Sequence, residues 1–189
     1  MIFSKPRWTI FVGFLLLTLL SVGGLRLFAQ EPISKEYQVK AVFLFNFAQF
    51  VKWPIETFTT PDQPFCIGIL GQDPFGPFMD ATVQGEKVDG HPIVIQRFAS
   101  AMDVKDCQIL FISASQETQL PSLLASLQGK SILTVSDSEG FIRNGGMIRF
   151  FTKDNKIHLR VNLDAAKRAY LSISSQMLLL AEIVEVGGN

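Results

Sequence analysis

Two rhythms of apolar and polar positions divide this chain. From Lys35 to Lys52, Val39, Val42, Phe43, Phe47 and Phe50 recur at helical spacing. Ser34 is placed to cap that helix and Pro54 to end it. On a 100° wheel Phe45 and Ala48 fall off the stripe, beside Ala41 and Lys52, so the helix is apolar on more than one side. Short apolar runs follow at 65–70, 91–96, 108–112 and 131–135. They are separated by the turn Gly71-Gln72-Asp73-Pro74, a short helix around 75–82 with Pro77 near its start, and a helix over 116–127 carrying Leu120, Leu123, Leu124 and Leu127. Short strands alternating with helices predict a parallel α/β sheet. The pattern changes after Gly145-Gly146. Residues 147–151 and 157–161 flank the turn-like Lys153-Asp154-Asn155-Lys156 and read as an antiparallel hairpin. Asn162 or Asp164 then caps a last helix running to about Val184, with Ala166, Ala169, Tyr170, Ile173, Met177, Leu180 and Ala181 as its stripe. Leu171, Leu178, Leu179 and Ile183 make its other sides apolar too. The fold class is α/β: a mostly parallel sheet, flavodoxin-like in strand order, with a C-terminal antiparallel hairpin and flanking helices.

The first 29 residues stand apart from this pattern. Lys5 and Arg7 precede an apolar run from Trp8 to Leu20, and Leu27-Phe28-Ala29 leads into Gln30-Glu31. A basic start, a short apolar stretch and a small residue before polar ones predict a secretory leader cleaved near Ala29. The alternative is a retained anchor, since the run to Leu25 nears spanning length if Gly23 and Gly24 are tolerated. Export leaves residues 30–189 as one domain in the periplasm, and no Cys follows the run to mark a lipoprotein.

Export changes the charge and the meaning of the cysteines. The chain has 17 basic and 17 acidic residues, and loss of Lys5, Arg7 and Arg26 leaves 14 against 17. A mildly acidic domain without a basic cluster is a poor nucleic-acid binder. Cys66 and Cys107, one at each of two strand starts, favour a disulfide in an oxidising compartment if those strands are parallel neighbours. Two separate buried thiols are the alternative. Neither Cys has a nearby His or second Cys with metal-ligand spacing.

No catalytic constellation emerges, and none calls for a cofactor. Gly71 to Gly76 lacks the Lys-Ser/Thr of a phosphate-binding loop, Gly68-x-x-Gly71 lacks the dinucleotide fingerprint, and both glycines read as serving the turn. A phosphoryl-accepting receiver domain needs acidic residues where this chain has Gly71 and Ser113. A ligand crevice beyond the strand ends would be lined by Gly71, Gln72, Asp73, Ser113, Ser115, Ser136 and Asp137, although ordinary turns favour the same residue types. Asn46, between Val42 and Phe50, would either cap a loop or anchor such a ligand. The crowding of Phe43, Phe45, Phe47, Phe50 and Trp53 on one helix exceeds what one face can bury. Phe45 and Ala48 on the first helix, with Leu171 and Leu179 on the last, are candidates for a protein interface.

Three motifs resemble a known family. The stretch Ala41-Val42-Phe43-Leu44-Phe45-Asn46-Phe47-Ala48-Gln49-Phe50-Val51-Lys52-Trp53-Pro54 resembles the opening motif of the periplasmic YfiR family. Gly140-Phe141-x-x-x-Gly145-Gly146-Met147-Ile148 matches its second motif. Ile157-x-Leu159-x-Val161-Asn162-Leu163-x-Ala165-Ala166, closing on Ile173-Ser174-Ser175, matches its third. The resemblance covers nearly all of residues 34–185. It implies a Rossmann-like domain, exported and often dimeric, which in the best understood members binds the periplasmic part of an inner-membrane diguanylate cyclase and holds it inactive. It implies a disulfide between Cys66 and Cys107. A second cysteine pair, present in some members near the Gly-Gly-Met motif, is missing here. The function expected is therefore control of cyclic di-GMP and biofilm through a membrane partner. The alternative is a periplasmic small-molecule receptor using the strand-end crevice.

Overall fold

The computed structural model describes residues 33–184. The leader expected over residues 1–29 lies outside them.

Helix α1 (Lys35–Phe50) starts where the Ser34 side chain accepts the Tyr37 N–H. It runs into β1 (Val51–Lys52), and β2 (Phe65–Leu70) follows. Next come α2 (Pro77–Val83), β3 (Lys87–Val88), β4 (His91–Phe98), β5 (Ile109–Ile112), α3 (Leu120–Ser126) and β6 (Leu133–Ser136). The last part holds β7 (Ile148–Lys153), β8 (Lys156–Asn162), α4 (Leu163–Arg168), β9 (Ser172–Ile173), α5 (Ser175–Leu178) and β10 (Ala181–Val184). Eight strands form one sheet in the order β10-β8-β7-β6-β5-β2-β4-β3. Only the β7–β8 and β3–β4 neighbours are antiparallel. The parallel core order β4-β2-β5-β6 and the hairpin beyond it are those the sequence pattern predicts.

Because side chains alternate across a strand, the sheet has two different faces. One packs Phe65, Ile67, Ile109, Phe111, Val135, Phe150 and Leu159 against α1, α2 and α4. The other packs Leu70, Leu110 and Ile112 against Leu120, Leu123 and Leu124 of α3. On this second face α3 covers the β2–β5 side.

Two expectations are corrected. The inward stripe of α1 is Lys40, Ala41, Leu44, Phe47 and Ala48, not the stripe through Val39, Val42 and Phe50. With apolar residues on both sides, periodicity alone does not choose the face; small Ala41 and Ala48 let the helix approach the sheet closely. Ala48 is thus a core residue, 1% exposed, and unavailable to a partner. The last helix is also not continuous. Tyr170, at φ 59°, terminates α4. The Leu171 N–H donates to Ala166 O at 3.0 Å and the Tyr170 N–H to Lys167 O at 2.9 Å, the paired bonds of a Schellman stop. No glycine marks this stop, so the sequence hid it. Leu171 closes the motif from inside the core and cannot be an interface residue. The chain then pairs with the end of α1, Val51 opposite Ile173 and Lys52 opposite Ser172, in an antiparallel ribbon.

Candidate functional site

The strand-end crevice is built of turns. Gly71, at φ +90°, needs the left-handed backbone, and a Cβ there would meet Ser115 Oγ at 2.5 Å. Ser115 Oγ accepts the Gln72 N–H, and Ser113 Oγ accepts the Ser115 N–H. Asp73 accepts the Phe75 N–H at 2.7 Å through Oδ1 and Arg97 Nε at 2.7 Å through Oδ2. Arg97 also donates to both carboxylate oxygens of Asp80, which holds the Asp80 pKa below its ordinary value. Ser136 Oγ donates to Ile112 O and accepts the Ser138 N–H. These groups tie strand ends to helix starts. Asn46 is not among them. It lies on the outer side of α1, in a groove of about 500 Å³ with Val39, Val42, Phe43 and Phe78.

Asp137 has a stronger role than the sequence suggested. Its Oδ2 accepts from Lys40 Nζ at 2.7 Å and from the Tyr37 hydroxyl at 2.8 Å. Lys40 is 2% exposed and also meets Glu36 at 2.6 Å. Burial, then the bond to Asp137, pushes the Tyr37 pKa upward. This cluster bolts α1 to the end of β6. A lysine one position from the inward Ala41 was its only sign in the sequence.

The cysteines are brought together but not joined. Strands β2 and β5 are parallel neighbours, as the bridge required. The sulfurs stand 3.0 Å apart as free, buried thiols. The Cys66 sulfur beside it, and burial, push the Cys107 thiol pKa upward, so the reduced Cys107 is a poor nucleophile. Gly68 leaves the room: a Cβ there would lie 2.7 Å from Cys107 Sγ and 2.8 Å from the Phe98 ring. It is a mid-strand packing glycine, which corrects its reading as a turn residue. Two results are expected. Thiol titration of unreduced, unfolded protein purified from an oxidising compartment finds no free thiol, and Cys66→Ser lowers the melting temperature by roughly 10 °C, the ~4 kcal/mol of a closed loop of this length. Gly68→Val destabilises by about 1–3 kcal/mol through overpacking, measured by chemical denaturation.

The three sequence motifs acquire physical reasons here. Trp53 Nε1 donates to Gln108 O at 3.1 Å, and the buried Gln108 side chain accepts the Cys66 N–H at 2.7 Å. The fully buried Phe141 ring lies against the α-carbon of Gly146, where no side chain fits, and Gly145 takes φ +93°. Asn162 Oδ1 caps α4 through the Ala165 N–H at 3.0 Å. A family model described as YfiR/HmsC-like matches residues 37–182. The chain belongs to the YfiR/HmsC-like family. Comparison with curated proteins returns no match. The motifs of this YfiR/HmsC-like chain are thus largely architectural, although Val42 and Phe50 of the first reach the surface.

Two apolar surfaces stand out. On α1, Val39 is 46% exposed, Val42 44% and Phe50 37%. Phe45, expected outside, is half-buried against the core. Near the C-terminus Leu179 is 86% exposed, with Leu180 and Ile183 also outside. Sequence reasoning placed an apolar excess on α1 correctly but assigned it to the wrong side. A cavity of about 550 Å³ beside Trp53, Phe58 and His91 was not anticipated at all. No helix among the described residues is long and apolar enough to cross a membrane.

Proposed function

We propose that this protein is a periplasmic regulator that binds the periplasmic sensor domain of an inner-membrane signalling protein, a diguanylate cyclase, and holds it inactive. The observation that carries the reading is the family match over residues 37–182. The outer side of α1 supports it by supplying a surface: the exposed Val39, Val42 and Phe50, the first two lining a groove, on a helix whose inner side packs on the sheet. Leu179 and the residues around it form a second patch, suited to pairing with another copy. Inhibition would work by occupancy, since a ligand that prefers the inactive state of its partner shifts the partner's population toward it. The small-molecule alternative has less support at the strand ends, where Asp73, Ser113, Ser115 and Ser136 are engaged in turns and caps.

The test is capture of the sensor domain by the mature protein. Immobilised residues 30–189 are expected to retain the periplasmic domain of a membrane diguanylate cyclase of the native host, and the periplasmic fraction of that host to contain the protein without residues 1–29. Failure to retain that domain, with folded protein on both sides, overturns the proposal.

A further inference from the structure

The hairpin side of the sheet carries a row of charge that neither the fold nor the proposed partner surface uses. Ser136 pairs with Arg149, Arg149 with Arg160, and Arg160 with Glu182, so one register line crosses β6, β7, β8 and β10 on one face. The line continues through Ile112 and Leu70, which belong to the apolar cluster packed on α3. At the hairpin end that face opens into a groove of about 500 Å³ lined by Arg143, Arg149, Arg160, Glu139 and Glu182, with Ile142 as an apolar wall.

The charges in this groove are not balanced pair by pair. Arg160 donates to Glu182 Oε2 from Nε at 3.1 Å and Nη2 at 2.6 Å, and its guanidinium lies 4.7 Å over the Phe151 ring. Arg149, directly opposite it on the next strand, has no ion pair among the described residues, and neither does Arg143. Like charges directly opposite on neighbouring strands repel. The Arg149 Nε–H is also buried without an acceptor among the described residues, and an unmet buried donor on a charged group is costly. An anion beside Arg149 removes both penalties at once, and a guanidinium offers it paired donors.

We infer that this groove is a binding site for a small anion bearing a phosphate or carboxylate group, held by Arg149 and Arg143. The Arg160–Glu182 pair forms its far wall. The site lies on the sheet face opposite α1, so it is independent of the proposed cyclase-binding surface.

The experiment is a nitrogen-detected NMR titration of the mature protein with inorganic phosphate and, separately, with succinate, at constant ionic strength set by sodium chloride. Saturable shifts of the Arg149 Nε–H signal at low millimolar concentration are expected with at least one of the two. The one that saturates identifies the ligand's anionic group. Arg149→Gln is expected to weaken binding at least tenfold, read from the remaining groove signals, and Arg143→Gln, on an exposed loop, to weaken it several-fold with the fold unchanged. Absence of saturation with both anions, an equal response to chloride, or unchanged binding in Arg143→Gln and Arg149→Gln overturns the site.

Discussion

Val42→Asp leaves the melting temperature within about 2 °C of the parent and reduces capture of the membrane partner at least thirtyfold. Val42 is 44% exposed and faces away from the sheet, so the carboxylate stays hydrated and the stability change stays within about 0.5 kcal/mol. In a complex, the same carboxylate would be desolvated against an apolar surface without a counter-charge, and central interface positions of that kind contribute about 2 kcal/mol or more. Phe47→Asp supplies the contrast. Phe47 is buried, stacked on Phe150 with ring centroids 5.8 Å apart, and the substitution prevents folding. Thermal melts run beside a pull-down separate the two effects. A folded Val42→Asp protein that still binds at full affinity removes the outer side of α1 from the interface.

Lys40→Met lowers stability, where Val42→Asp does not. Removing the cation strands the partly buried Asp137 carboxylate, whose Oδ1 has no partner among the described residues. Breaking one side of such a pair costs about 3–5 kcal/mol, which in a domain of this size lowers the melting temperature by roughly 10 °C. Tyr37 adds a pH signature. Its pKa is raised in the folded state by burial and by the hydrogen bond to Asp137. A raised pKa gives stability that is fully present below the free phenol's value near ~10 and falls as pH rises above it. Denaturation between pH 8 and 11.5 should therefore show a decline over the upper part of the range, and Tyr37→Phe should flatten it. A Lys40→Met protein as stable as the parent would mean that the cluster does not fasten α1 to β6.

Strand content and order were legible because the strands are short, apolar and separated by clear turn residues, and because a cysteine at the start of each of two strands suggested that the two are neighbours. Gly145-Gly146 marked the change to the hairpin for a similar reason. What stayed hidden depended on contacts distant in sequence. The inward face of α1 was ambiguous because Val39, Val42 and Phe50 are as apolar as Leu44 and Phe47; Lys40 meeting Asp137, 97 positions away, is what marks the inner side. The last helix broke at Tyr170, a residue that rarely takes a left-handed backbone, so nothing local announced the stop that moved Leu171 into the core. Of the interface candidates, Leu179 lies outside, Phe45 half outside, and Ala48 and Leu171 within. Among the strand-end residues, Asp73, Ser113 and Ser136 are engaged in turns, caps and the Arg97 network, and Asp137 meets Tyr37 and Lys40.

If this protein restrains a membrane cyclase, the cellular cyclic di-GMP level in the native host reports it. Deleting the gene should raise the level and increase biofilm, and restoring the unmodified protein should reverse both. The Val42→Asp protein, exported at equal abundance, should fail to reverse them. A cyclic di-GMP level that stays unchanged or falls on deletion would mean that the protein does not restrain a cyclase.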